Sequence, residues 1–150
     1  MIRFPDVRAI ALSLTLIVGA HACGRKADTT TTANPTNTQT PVSVVAVDLG
    51  RGVDAGKQVT DKTEVFKPND TIYASIKTSG TSPSSRIGVK WTYQDGQVVA
   101  EGEQVIAPSG PEATEFHINK PDGFPAGNYK VEVFVDGASV ESKDFKVEAM

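Results

Sequence analysis

Between Thr71 and Val135 apolar residues return at every second position, and the runs break wherever Gly, Pro, Asn or Asp gather. Period two puts successive side chains on opposite faces of an extended chain, so such runs are half-buried strands. Thr71–Thr78 sets Ile72, Ala74 and Ile76 on one face and Tyr73, Ser75 and Lys77 on the other. Arg86–Tyr93 does the same with Ile87, Val89, Trp91 and Tyr93, Ala113–Ile118 with Thr114, Phe116 and Ile118, and Asn128–Val135 with Tyr129, Val131, Val133 and Val135. No long stretch has the 3.6-residue period of an amphipathic helix.

Less regular runs complete the set. Val42–Val47 predicts a first strand and Val59–Phe66 a second. Gln97–Ile106 is a strand kinked by Gly102, and the last strand ends with Phe145 and Val147. Its apolar parity changes between Val140 and Phe145, which predicts a β-bulge there. Pro68-Asn69-Asp70 and Pro121-Asp122-Gly123 are turns. Asp95-Gly96 and Asp136-Gly137 each predict a type I′ hairpin turn, which needs positive φ at both central residues. About eight short strands in residues 42–150 make an all-β sandwich.

Two places in this pattern carry a resemblance. Trp91 lies mid-strand ahead of a hairpin, and Phe124-Pro125-Ala126-Gly127-Asn128-Tyr129-Lys130-Val131 opens a later strand. The arrangement resembles the core Trp and the tyrosine corner of immunoglobulin-like and fibronectin-III-like domains. Val131 stands where antibody domains place their second Cys. The chain has a single Cys, so the resemblance is to the disulfide-free branch of the superfamily. It implies a single sandwich of 7–8 strands in which the Tyr129 hydroxyl bonds back to the chain upstream. It implies nothing about function, because such sandwiches host unrelated roles.

The N-terminal third reads differently. Arg3 and Arg8 precede Ala9–Gly19, 11 residues that are apolar apart from Ser13 and Thr15. That is too short for a membrane-spanning helix, which needs about 20 residues, and fits the apolar core of a secretory signal. Ala20-His21-Ala22 follows as an A-x-A cleavage site, and Cys23, the only cysteine, comes directly after it. Residues 1–22 are therefore expected to be a signal peptide cleaved after Ala22. The junction resembles a bacterial lipoprotein signal, in which the Cys after the cut is acylated and becomes the new N-terminus. Ala22 and Cys23 match its lipobox, while Ala20 stands where Leu is usual and His21 where a small residue is usual. The resemblance implies lipidation at Cys23, a membrane as partner through the acyl anchor, and residence on the periplasmic side or the cell surface. Gly24 fits sorting to the outer membrane better than retention in the inner one.

From Gly24 to Pro41 seven of 18 residues are Thr, two are Pro, and none is Val, Ile, Leu or aromatic. Such a stretch cannot bury enough apolar surface to offset its ordering entropy. Residues 23–41 are thus expected to be the acylated Cys and a disordered tether.

The chemistry that remains is sparse. After cleavage 13 basic and 17 acidic residues would stay, a net charge of −4. No Lys/Arg cluster answers a phosphate backbone, so nucleic acid is not an expected partner. His117, opposite Phe116 and Ile118, faces solvent, and no serine sits on a nucleophile elbow, so no hydrolytic triad is expected. Asp48, Asp54 and Asp61 lie in or beside a Gly-rich segment, but their spacing is not that of a calcium loop. Glu101 and Glu103 share a face without a cleft that would suit glycoside hydrolysis. No enzyme activity, metal or cofactor is expected.

One surface feature stands out. If Val131, Val133 and Val135 face inward, Phe134 faces outward beside Glu132 and Asp136. In the resembled fold its strand neighbours the Trp91 strand, whose outward residues are Arg86, Gly88, Lys90 and Thr92, and the next strand adds one of Val98 and Val99. Phe134, Lys90, Thr92 and Val99 form the candidate partner patch, since aromatic and Arg side chains dominate interface energies. The expected function is a membrane-anchored, non-enzymatic binding module acting on an envelope protein or glycan. The alternatives are an accessory subunit or inhibitor of a periplasmic enzyme, or a spacer without a ligand.

Overall fold

The computed structural model of the chain describes residues 39–149. The segment expected to be a signal peptide, Cys23 and almost all of the expected tether lie outside them. The described residues form eight strands: β1 (Thr40–Gly50), β2 (Val65–Phe66), β3 (Ile72–Thr81), β4 (Ser85–Tyr93), β5 (Gln97–Ile106), β6 (Glu112–Ile118), β7 (Gly127–Val135) and β8 (Ala138–Val147). They pair into a three-stranded sheet, β1-β3-β6, and a five-stranded sheet, β2-β8-β7-β4-β5. Every pairing is antiparallel except β2 with β8. The chain changes sheet at every connection except β4 to β5 and β7 to β8.

The inward faces are those the alternation predicts. Ile72, Ala74 and Ile76 of β3 and Phe116 and Ile118 of β6 meet Ile87, Val89 and Trp91 of β4 and Tyr129, Val131 and Val133 of β7 in one core. Phe145 of β8 is its hub. Trp91 and Phe66 meet that ring edge-on, with centroids 5.8 and 5.6 Å away. Tyr129 stacks on it at 5.3 Å. The Tyr129 hydroxyl donates to the Pro125 carbonyl at 2.8 Å, the upstream bond that the tyrosine-corner resemblance implies.

Several details differ from the expectation. The second strand is only Val65–Phe66; residues 51–64 are a loop folded back on the end of β1. Its backbone groups bond within the loop and to β1, with Arg51 N donating to Asp61 O, Thr60 N to Gly52 O and Thr63 N to Leu49 O. The Asp54 carboxylate takes the amides of Gly56 and Gln58. A strand over Val59–Thr63 would have to give these bonds up. β1 begins at Thr40, inside the stretch expected as tether, and carries two register shifts. At the second, Val45 is the extra residue and is 61% exposed.

Gly102 does not kink β5. It pairs in register with Val89, and the irregularity is a bulge at Val99, the extra residue between Ala100 opposite Trp91 and Val98 opposite Thr92. A Cβ at Gly102 would stand 3.1 Å from Phe116 Cδ1, so its lack of a side chain lets the ring from the other sheet settle there. The last strand does bulge, at Val140, between the pairs Val133–Glu141 and Phe134–Ser139. Asp136-Gly137 is the expected turn, with φ of 50° and 86°. The other hairpin is a three-residue loop, Gln94-Asp95-Gly96, with positive φ at Gln94 and Gly96 instead of Asp95. Gln94 is held there because its amide donates to Asn128 O of the β7 strand.

Candidate functional site

Most of the expected partner patch assembles on the outer face of the five-stranded sheet. Phe134 of β7 lies directly opposite Gly88 of β4. A Cβ on Gly88 would be 3.5 Å from Phe134 Cβ, so the ring leans over the bare glycine backbone. This is how an aromatic shields a glycine across a pair of strands. Lys90, two residues along β4, holds its ammonium 5.8 Å from the ring centroid. Phe134 is therefore half-buried instead of standing free.

β5 closes the site on the far side. Lys90 pairs with Glu101 and Gly88 with Glu103. Arg86 Nε reaches Glu103 Oε1 at 2.9 Å, and Lys90 Nζ reaches Glu101 Oε1 at 3.8 Å. Arg86, Gly88, Lys90, Glu101, Glu103 and Phe134 line an open hollow of about 590 Å³. The row across the sheet runs Ser142, Glu132, Lys90, Glu101 and so alternates in charge up to the edge at β5. Both ion pairs are exposed, and pairs of that kind contribute about 0–1 kcal/mol each. They position charge more than they add stability.

Thr92 continues the same face. Its neighbour on β5 is Val98, which lines a second hollow with Thr92, Lys90, Lys130 and Asp144. The pairing does not seat Val99 opposite Thr92; it is the extra residue of the bulge. A Val-Val doublet offers one apolar residue to each face, and nothing in its own sequence says where the bulge falls. Gly88 as the floor of the hollow, and the pairing of Glu101 and Glu103 with β4, needed the strand register and are not visible in the sequence pattern. Cys23 and Ala22 lie outside the described residues.

The other sheet shows where the remaining ionisable groups go. His117 is exposed, as expected, with its Nδ1 2.7 Å from Glu115 Oε1 and its ring 5.3 Å from Tyr73. Ser75, expected at the surface, is fully buried between its cross-strand neighbours Asp48 and Glu115. The three carboxylates of the Gly-rich segment do not converge. Asp48 takes Lys62 and Lys77, both at 2.9 Å, Asp61 takes Arg51, and Asp54 caps its own turn. Burial pushes the Asp48 carboxyl up, but the hydrogen bonds from Lys77 and Lys62 outweigh it and hold the group below its ordinary value.

No family model and no curated protein matches the chain. Solved structures do. An immunoglobulin-like protein from Pseudomonas aeruginosa is 16% identical with a TM-score of 0.51, over 74% of this chain and 99% of that one. A β-glucosidase from Erythrobacter marinus is 8% identical with a TM-score of 0.51, over 73% of this chain and 16% of that enzyme. A cycloisomaltooligosaccharide glucanotransferase from Paenibacillus is 12% identical with a TM-score of 0.47, over 71% of this chain; the chain spans 14% of its length. At these identities the likeness is one of fold alone: residues 39–149 are an immunoglobulin-like β-sandwich.

Proposed function

We propose that the chain is a membrane-anchored bacterial lipoprotein whose sandwich is a non-enzymatic binding module at the cell envelope. The observation that carries the reading is the place of the one cysteine. It follows an 11-residue apolar stretch and a small-residue cleavage site, and it precedes a Thr/Pro-rich stretch that leads into β1. A lone thiol in an oxidising compartment has no partner and invites side reactions; an acylated one removes both problems. Two or more acyl chains hold firmly, each buried CH₂ contributing about 0.8 kcal/mol. The tether then lets the sandwich stand off the bilayer, on the periplasmic side of the outer membrane or at the cell surface. The immunoglobulin-like fold supports a binding role, since it presents an outer sheet face with an aromatic, four charges and a hollow and asks nothing further of the chain. An envelope protein or glycan is the class of partner.

The anchor is tested by expressing the full chain in a bacterium, partitioning the envelope in a phase-separating detergent, and weighing the N-terminal peptide. A detergent-phase protein whose peptide begins at acylated Cys23 is expected, and Cys23→Ala should move it to the aqueous phase or leave it uncleaved. A mature peptide with unmodified cysteine ends this reading.

A further inference from the structure

One edge of the five-stranded sheet is β5, ten residues long, which pairs with β4 and with no other strand among the described residues. Its outward backbone groups follow from the neighbouring pair. Arg86 N donates to Asp136 Oδ1 and Asp136 N donates to Arg86 O, so the Arg86 peptide groups face β7. Peptide groups alternate sides along a strand. Those of Ile87, Val89 and Trp91 therefore face β5 and bond Gln104, Gly102 and Ala100. Those of Glu101, Glu103 and Val105 point away from the sheet, a row of unpaired donors and acceptors ready for another strand. β6, the nearby edge of the other sheet, is blunted instead, because Gln104 Nε2 of β5 donates to the outward Glu115 carbonyl. Among the described residues, three of the six exposed large apolar side chains, Val98, Val99 and Val105, lie on β5.

We propose that the β5 edge accepts an extended segment of a partner protein that carries Lys or Arg at alternate positions, adding a sixth strand. The chemistry of the occupant comes from the side chains beside the open groups. Glu101 and Glu103 point to the outer face, where a residue of an added strand would stand directly opposite each. Basic residues there extend the alternation Glu132, Lys90, Glu101 by one more column. A second copy of this chain fits poorly. The self-pairings of greatest overlap, with the two-fold at Glu101 or at Gly102, set Glu101 against itself or against Glu103, and like charges directly opposite destabilise. The proposal rests on the reading of the sandwich as a binding module, not on its anchoring. The acyl-anchor experiment and the one below fail independently.

The test uses the full chain in detergent and two end-blocked decapeptides, one alternating Lys and Val, the other alternating Glu and Val. The Lys-Val peptide is expected to bind about tenfold more tightly, since each basic residue replaces a like-charge contact with an opposite-charge one, and to slow amide exchange at Glu101, Glu103 and Val105. Glu103→Pro removes one outward donor without touching the bonds to β4, and should abolish binding while leaving Trp91 emission unchanged. Should that variant fail to fold, Glu101→Lys with Glu103→Lys, which alters no backbone group, should reverse the preference between the peptides. Equal binding of the two peptides, no binding of either, or binding that leaves those amides exchanging freely would overturn the proposal. So would protection of the same amides in a concentration-dependent dimer without peptide.

Discussion

Tyr129 joins the core to the chain's upstream turn. Burial, with a further push from Tyr93, raises its phenol from the ordinary 10.0 to about 12. A raised value means that the folded state resists losing the proton. The contribution is complete below the unfolded value near 10 and is lost as pH climbs through 12. Stability is thus expected to fall between pH 10 and 12, by about 2–3 kcal/mol from this group. Tyr129→Phe should remove that part of the alkaline slope. It should also cost about 1–3 kcal/mol at neutral pH by leaving the Pro125 carbonyl unpartnered, read by denaturant titration at pH 7 and 11. Phe134 makes a different case. Because it shields Gly88 and is half-buried, Phe134→Ser should cost about 1 kcal/mol, more than a bare surface position would. If the residue also anchors a partner, retention of a co-purified envelope component should drop about tenfold. Retention unchanged by the substitution would confine Phe134 to covering Gly88. Its outward direction was legible from the parity of its strand; its glycine neighbour was not, because pairing across strands leaves no mark in local sequence.

At the scale of elements, the loop 51–64 shows what alternation cannot reveal. Val59, Val65 and Phe66 suggest one strand, yet Arg51 organises the segment around itself. Its guanidinium holds Asp70 at 2.8 Å, Asp61 at 3.3 Å and the Val65 carbonyl at 2.8 Å, and lies over Phe66. Burial pushes the Asp70 carboxyl up, but the Lys67 amide and Arg51 outweigh it and keep the group below 3.8. A lowered carboxylate stabilises above its unfolded value and stops doing so as pH falls through the folded one. The loop should therefore loosen below about pH 4, read as faster amide exchange over 51–64 while the sheets stay protected. Arg51→Ala should bring the same loosening at neutral pH and cost about 1–2 kcal/mol. Arg51→Lys should rescue little, since a single ammonium cannot fork to three acceptors. Strands β3, β4, β6 and β7 were legible because each sets its large apolar side chains at alternate positions on one face. The bulges were half legible. Val44-Val45 and Val98-Val99 are doublets at which one valine must face outward, and only the neighbouring strand's register decides which.

At the scale of the whole molecule, the two sheets share one core, and they should unfold together. Trp91 of β4 reaches Phe145 of β8, Phe145 reaches Phe66 of β2 and Tyr129 of β7, and Phe116 crosses from the other sheet onto Gly102. The rings of Trp91, Phe145, Phe66 and Tyr129 belong to the five-stranded sheet, and Ile72, Ala74, Ile76, Phe116 and Ile118 of the other sheet join them in one buried cluster. Trp91 is 1% exposed, so its emission should be blue-shifted in the native protein. Truncating a buried aromatic of this size costs about 3–5 kcal/mol, against about 5–15 kcal/mol for a whole domain. Trp91→Ala should consequently shift the denaturant midpoint far down while leaving a single transition. Far-ultraviolet dichroism, which follows both sheets, and near-ultraviolet dichroism of the tyrosines should change in step. Two separated transitions would mean that β1-β3-β6 holds together without its partner sheet. A three-stranded sheet with one apolar face exposed has no independent means of covering Ile72, Ala74 and Ile76, so one transition is the physical expectation.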